Sequence, residues 1–504
     1  MSNWLFDALR QAAPDPSALF METDRGPWTY GDLLARSGRI ASALVEFGVA
    51  PGDRVAAQVE KSPEAIALYL ACVRAGAVYL PLNTGYTAAE IDYFVGDAEP
   101  RVLVVDPAAE ASLAPIAAKH GARLETLDAS GGGSLMEASA SASEEFWDVA
   151  RGADDLAAIL YTSGTTGRSK GAMLSHDNLL SNALTLKDHW RFTSEDRLIH
   201  ALPIFHTHGL FVATNVVLAA GASMIFMAKF DAAKVLAAMS RATALMGVPT
   251  FYVRLCQQAG LTREATAHMR VFISGSAPLL AETHREFEQL TGCRILERYG
   301  MTETNMITSN PYEGERIAGA VGFPLPGVSL RIADPETGAP TPDGDVGMIE
   351  VKGPNVFKGY WRMPEKTKSE FRDDGFFVTG DLGKIDRDGY VWIVGRGKDL
   401  VISGGYNVYP KEVESEIDLL PGVVESAVIG VAHPEFGEGV TAVVVTAGEP
   451  KIDEAAVLAA LSDRLARYKQ PKKILFVDEL PRNTMGKVQK NVLRERYADL
   501  YSAR

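Results

Sequence analysis

Short apolar runs alternate with helix-like stretches through the first half of the chain, and that alternation leaves few folds open. Val55–Val59, Val78–Leu82 and Val102–Val105 read as strands, and Pro63–Ala75 and Ala88–Val95 between them carry helical spacing. After Leu156–Tyr161 the pattern resumes with strands at Leu198–Leu202, Ala244–Val248 and Val271–Ser274 and a helix near Ala232–Ser240. Strand–helix–strand units of this kind are right-handed and lie on parallel sheets, so the expected class is α/β. From about Val321 the texture changes to short strands punctuated by Gly, Pro and Asp, as in Pro335-Glu-Thr-Gly338 and Asp386-Arg-Asp-Gly389. That predicts a small β-rich subdomain closing the large unit. The last hundred or so residues return to α/β, with a helix at Pro410–Leu420 and strands at Val424–Val431 and Val440–Val445. A chain of 504 residues exceeds one core and should hold at least two domains. Residues 128–146, rich in Ala, Ser and Gly, read as a low-complexity connector.

The stretch Tyr161-Thr-Ser-Gly-Thr-Thr-Gly-Arg-Ser-Lys170-Gly171 is where the chemistry concentrates. It follows a buried strand and precedes a helix running from about His176 to Leu186. Gly164, Gly167 and Gly171 let backbone N–H groups converge on an anion, Thr162, Ser163, Thr165, Thr166 and Ser169 add hydroxyls, and Lys170 adds charge. The reading is a polyphosphate cradle. A Walker A loop is excluded, because Lys170 is preceded by Ser169 and followed by Gly171. A flexible Ser/Gly surface loop would share the composition, but not this density of donors between a strand and a helix.

These residues resemble the phosphate-binding signature of the adenylate-forming superfamily: acyl-CoA synthetases, carrier-protein adenylation domains and luciferases. Later motifs extend the resemblance over nearly the whole chain. In Arg298-Tyr299-Gly300-Met301-Thr302-Glu303 it places Tyr299 against adenine, Thr302 at the α-phosphate and Glu303 on Mg²⁺, with Thr162 as the second metal-side group. A flat aromatic suits a base, and a hard carboxylate suits a magnesium ion bridging phosphates. Ser276, after the strand at Val271–Ser274, joins the nucleotide set. Asp381 of Thr379-Gly380-Asp381 is the ribose-binding carboxylate the resemblance implies. Arg396 stays with the nucleotide, and Lys398 is the pivot of a mobile domain. That sets the expected division: a large adenylating domain, 1–397, and a small mobile C-terminal domain, 398–504. Gly404, Gly405 and Tyr406 match the loop lining a pantetheine tunnel. Asn483-Thr-Met-Gly486-Lys487 matches the catalytic-lysine segment, with Met485 where Ser is usual and Gln489 where Arg is usual.

What the resemblance implies is an acid–thiol ligase using ATP, Mg²⁺ and coenzyme A through an acyl-adenylate. Leu202-Pro-Ile-Phe-His206-Thr-His208-Gly209 matches the acyl-pocket motif, with His206 guarding the acid. His206 and His208 could share a strand face as a metal pair, but no third ligand of fitting spacing presents itself. Glu412, Glu414, Glu416 and Asp418 decorate an amphipathic helix and read as a solvated face. Leu296–Glu303 and Phe272–Ala277 resemble malonyl-CoA synthetases. A dicarboxylate needs a cation for its second carboxylate, and Arg254 is the first candidate, with Arg298 and His206 as supports. Malonate is the expected acid and methylmalonate a second. A short-chain or aromatic monocarboxylate is the alternative within the class. A carrier-loading adenylation domain or an oxidative light-emitting enzyme would share the motifs. Acetylation of Lys487 by a lysine acetyltransferase, reversed by a deacetylase, is a further implication of the resemblance.

Composition narrows the partners. A net charge of −14 argues against general nucleic-acid or acidic-membrane binding, so any site for ATP must be locally basic. Cys72, Cys256 and Cys293 form no C-x-x-C pair and read as free thiols of a reducing compartment. The opening Met-Ser-Asn-Trp-Leu-Phe-Asp has no signal-peptide pattern, and the apolar Leu210–Met227 is broken by Thr214, Asn215, Gly221 and Ser223. The expected location is the cytoplasm, without membrane insertion.

Overall fold

The computed structural model describes residues 2–13, 15–162, 169–404, 406–447, 452–462, 464–483 and 486–501, with Asn407 as backbone only. They form two compact units: Met1–Ser329 with Val351–Phe377, and Leu330–Glu350 with Val378–Arg504. The expected α/β class with parallel sheets is observed. The unit boundaries differ from the expected 397/398 division, because the small β sheet clusters with the C-terminal residues.

The first unit holds two sheets. The six-stranded one runs in the order Arg123–Thr126, Val102–Val105, Arg54–Gln58, Val78–Pro81, Leu156–Thr162, Lys170–Ser175. Its first five strands are parallel, and the last pair is antiparallel. The phosphate-loop sequence therefore joins two strands of a hairpin, with Thr162 opposite Lys170. The expected step from strand to helix is interrupted by Lys170–Ser175, whose Ala172 and Leu174 are buried and hold it to the sheet. Only after it does Ser175 cap the helix His176–His189. The nine-stranded sheet orders Phe323–Pro324, Asn305–Ser309, Leu296–Met301, Val271–Ser274, Ala244–Gly247, Arg197–His200, Ser223–Phe226, Leu19–Thr23 and Gly26–Thr29. From Leu296–Met301 through Leu19–Thr23 its neighbours are parallel.

Local signals explain the helices. Ser62 caps Pro63–Arg74, which is buried on every side and reads accordingly as a continuous apolar run. Thr29 and Asp32 form a capping box for Tyr30–Glu46. The connector 128–146 contains a helix the composition concealed, Ser134–Ser141, anchored by buried Leu135 and Ser139. The expected helix, Gly turn and strand after Leu210 are present: a π-helix His208–Thr214, a helix Asn215–Ala220, Gly221 in the left-handed region and the strand Ser223–Phe226. No helix among the described residues is long and apolar enough to cross a membrane.

The second unit has a four-stranded sheet, Ser329–Ala333, Gly347–Lys352, Phe377–Ile385 and Val391–Arg396. It also has a five-stranded sheet in which Gly437–Thr446 pairs with Val423–His433, Val401–Ser403 and Lys473–Val477, and Val401–Ser403 pairs in turn with Tyr406–Val408. Val401, Val413, Ile417, Val428, Val440 and Val444 make one core on a face of this sheet. Ala427, Ile429, Val443, Leu480 and Leu493 make another, on which the C-terminal segment packs.

Candidate active site

Of the predicted cradle, Ser163, Gly164, Thr165, Thr166 and Gly167 lie outside the described residues, and so does Gly405. The flanking groups are placed. Thr162 and Lys170 close the hairpin at the loop's base, both half-buried. The Lys170 ammonium lies 4.2 Å from the centre of the Tyr360 ring and 3.4 Å from Glu370. Lys366 holds the same Glu370 carboxylate at 2.5 Å.

Tyr360 ties this group to the predicted magnesium carboxylate. Its hydroxyl is 3.0 Å from Glu303 Oε1 and 3.0 Å from Glu370 Oε2. One phenolic proton thus serves two carboxylates whose environments differ. Burial pushes the Glu303 carboxyl up. For Glu370 burial acts the same way, but Lys366 and Lys170 outweigh it and hold that carboxyl below its usual range. A buried carboxylate with no cationic side chain paired to it among the described residues suits a divalent ion that phosphates would share. Glu303 and the Thr162 hydroxyl would hold Mg²⁺, which when bound offsets charge on the polyphosphate. Glu370 and Tyr360 were missing from the sequence reading, because 200 residues separate Glu370 from Lys170 and no motif links them.

Tyr299 and Thr302 come from the strand Leu296–Met301 and the turn that follows. Tyr299 is buried, and Thr302 shares a cavity with Tyr86, Tyr161, Phe205 and His206. The acyl-motif histidine and the nucleotide-motif threonine therefore face one space, below the strand that leads into the phosphate loop.

Beside this, Arg298 is 3% exposed, and its Nε and Nη2 have no hydrogen-bond partner among the described residues. Burial depresses its guanidinium to about 9. A Cβ on Gly275 would lie 2.4 Å from Arg298 Cζ, so the absence of a side chain there makes the space the guanidinium occupies. Ser276, next in the chain, has φ of 73°, a region costly for a residue other than Gly. Its hydroxyl is 3.2 Å from His208 Nδ1, and His208 Nε2 is buried with no hydrogen-bond partner among the described residues. The Arg298 charge acts on His208, whose own charged form burial suppresses. Arg298, packed over Gly275, thus lies next to the Ser276–His208 contact, and the three bring polar atoms suited to an anion close together. Among the described residues there is no group of three or more His, Cys, Asp or Glu that could hold a metal ion.

Arg254 does not join them. It lies exposed in the last turn of the helix Pro249–Cys256, whose inward residues are Phe251, Tyr252 and Leu255. The first-choice cation of the sequence reading is a surface arginine. Its supporting candidate, Arg298, is the buried one.

The second unit carries its own cluster. Asp381 and Arg396 face each other across antiparallel strands, with Arg396 Nε 3.1 Å from Asp381 Oδ1. Thr379 Oγ1 accepts from the Asp381 N–H at 3.1 Å and donates to the Ile349 carbonyl at 2.8 Å. Lys487 follows a turn closed by hydrogen bonds between Asn483 and Lys487 at 2.9 Å in both directions. Burial, then the positive charges of Arg396 and Lys398, lower the Lys487 ammonium to about 8, against the pull of Asp381 and Asp399. Lys398 sits in a 3₁₀ turn, Gly397–Asp399, and is exposed. Gly404 has φ of 61°, and Tyr406 is exposed, its ring tilted 30° to that of Tyr468 with the centroids 4.8 Å apart.

The AMP-binding enzyme family matches residues 7–361, and its C-terminal domain matches residues 412–487. The chain belongs to the AMP-binding enzymes. Among relatives of this AMP-binding enzyme is a feruloyl-CoA synthase of an Amycolatopsis species, 37% identical over 97% of this chain and 98% of its own. A malonate–CoA ligase of Arabidopsis thaliana is 34% identical over 97% of this chain and 88% of its own. The ATP-bound crystal structure of MatB from Rhodopseudomonas palustris matches with a TM-score of 0.98 and 68% identity over the whole of both chains. The two relatives act on unlike acids at nearly equal identity, so identity to them leaves the acid open.

Proposed function

We propose that this AMP-binding enzyme is an AMP-forming malonate–CoA ligase: malonate, ATP and coenzyme A give malonyl-CoA, AMP and diphosphate through a malonyl-adenylate. The observation that carries the acid is the buried guanidinium of Arg298, whose Nε and Nη2 have no partner among the described residues, with Ser276 and His208 beside it. An apolar aromatic acid gives such a group no partner. A dicarboxylate gives it one, and methylmalonate presents the same second carboxylate. Trapping the malonyl-adenylate in the absence of coenzyme A tests the reading. Diphosphate release with propionate but not with malonate would overturn it.

In the first step one malonate carboxylate attacks the α-phosphorus and diphosphate leaves. Lys170 and the hydroxyl-rich loop hold the β- and γ-phosphates, Asp381 the ribose and Tyr299 the adenine. Thr302 approaches the α-phosphate, and Lys487 offsets the charge gathering between acid and phosphate. In the second step residues 398–504 turn about Lys398, withdraw Lys487 and bring the thiol, along Gly404–Tyr406, to the adenylate. Lys398→Ala is then expected to slow thioester formation at least about tenfold more than adenylation, since a hinge residue absorbs the backbone change between the two states. Parallel loss of both half-reactions would point to general damage.

The low pKa of Lys487 has a pH consequence. A lysine near 8 is charged below that pH and neutral above it, so kcat/KM for ATP should fall as pH rises through about 8. Bound phosphates favour the charged form and should move the corresponding limb of kcat upward. Diphosphate release against pH checks both. Profiles flat to a unit above that value would contradict the role.

Acetylation of Lys487 would remove the same charge, and a lysine acetyltransferase and deacetylase in the cytoplasm would form a switch on the first step. The expected result is loss of diphosphate release with mass-spectrometric modification of Lys487, and recovery on deacetylation. Modification confined to other lysines would oppose it.

A further inference from the structure

Behind the acyl motif lies a lysine that no carboxylate answers. Lys61 is 7% exposed, and among the described residues no acidic side chain is paired with it. Its ammonium nitrogen is 2.9 Å from His200 Nδ1 and 2.8 Å from the His200 carbonyl, with the Phe226 ring centre at 4.4 Å. As packing, such an amine is a poor choice, since an apolar side chain of equal length fills the space without desolvating a charge. Its hydrogen bonds lead somewhere specific.

His200, fully buried at the end of the strand Arg197–His200, places Nε2 2.8 Å from the Gly209 carbonyl. A carbonyl only accepts, so Nε2 carries the proton and Nδ1 accepts from Lys61. The Thr214 hydroxyl donates to the same Gly209 carbonyl at 3.1 Å. Gly209 stands at the start of the π-helix His208–Thr214, a geometry that appears mostly in short pieces at functional sites. A Cβ on Gly209 would lie 2.0 Å from the Pro203 carbonyl, so this turn is pressed against Leu202–Pro203 and has little room to drift. The residue before it, His208, meets Ser276 at 3.2 Å and feels the Arg298 charge. Lys61, His200, Gly209, His208 and Ser276 therefore form one chain of contacts from the protein interior to the residue after Gly275, over which Arg298 is packed.

We propose that Lys61 is a positioning residue for the acid substrate: through His200 it fixes the turn bearing His206 and His208, and so sets the preference for a dicarboxylate over a monocarboxylate. The inference rests on the reading of the acid as malonate. Lys61 touches neither the acid nor the nucleotide in this scheme. It acts by keeping His208 and Ser276 in register for the second carboxylate, a register that propionate does not use.

The test is Lys61→Met, compared with wild type for kcat/KM on malonate and propionate, KM for ATP and thermal stability. The expected result is a malonate-to-propionate ratio lowered about ten- to hundredfold, the scale of a small misplacement of a reacting group. KM for ATP and stability should hold. Combined with Ser276→Ala, the loss should be less than the product of the single losses, because both act on one contact chain. A merely structural role would lower both acids and ATP together and multiply independently, and that outcome would overturn the proposal. Should Lys61→Met fail to fold, His200→Gln carries the same readouts. A wild type that prefers propionate would overturn the malonate reading and this inference with it. A wild type that prefers malonate, with an unchanged ratio in the variant, overturns this inference alone.

Discussion

Lys487→Ala is expected to lower adenylate formation by at least about 10²–10³-fold while leaving thioester formation from supplied malonyl-adenylate near the wild-type rate. The magnitude is that of removing one preorganised electrostatic contact to charge that develops in the transition state. The selectivity follows from the proposed division of labour, in which this ammonium serves only the first half-reaction. Its surroundings fit a group held ready for phosphate: burial first, then the like charges of Arg396 and Lys398, outweigh Asp381 and Asp399 in disfavouring its charged form, which an arriving anion would favour. Pre-steady-state diphosphate release measures the first step, and CoA-thioester formation from synthetic adenylate measures the second. Equal loss in both would mean that Lys487 holds structure, or that it stays with the adenylate throughout.

Arg298→Met is expected to cost malonate far more than propionate. Leaving the second carboxylate unpaired in a buried pocket is worth on the order of 2–5 kcal/mol. That is roughly thirtyfold to several thousandfold in relative kcat/KM. The same change should leave thermal stability unchanged or raised, because the free enzyme buries a guanidinium with two nitrogens that have no partner among the described residues. Arg254→Ala serves as the contrast: an exposed helix-end arginine should leave the ratio within about twofold, as surface substitutions generally do. A selectivity change in Arg254→Ala with none in Arg298→Met would restore the assignment made from sequence.

That pair of arginines shows where sequence reading stops. Both are candidates from the sequence, and both could pair with a carboxylate. Only tertiary packing distinguishes a side chain in the space over Gly275 from one on the outer turn of Pro249–Cys256. Elements whose signals are local were legible: Pro63 opening a helix, and the break at Gly221 before Ser223–Phe226. The strand Lys170–Ser175 was hidden, because the loop chemistry before it and the helix after it left six residues with no signal of their own. The helix Ser134–Ser141 was hidden by a composition that ordinarily stays unfolded, its packing resting on Leu135 and Ser139. The site was legible wherever chemistry follows a contiguous motif, as at Tyr299–Glu303 or Thr379–Asp381. It was illegible where contact joins distant segments, as between Glu370 and Lys170 or Lys61 and His200.

The most direct test of the central claim is AMP release by the wild-type enzyme with MgATP, coenzyme A and a panel of malonate, methylmalonate, propionate and an aromatic acid such as ferulate. The account predicts AMP and a CoA thioester in equal amounts, with malonate the preferred acid by kcat/KM, methylmalonate next, and propionate and ferulate far behind. Release of ADP, or preference for a monocarboxylate, would contradict it.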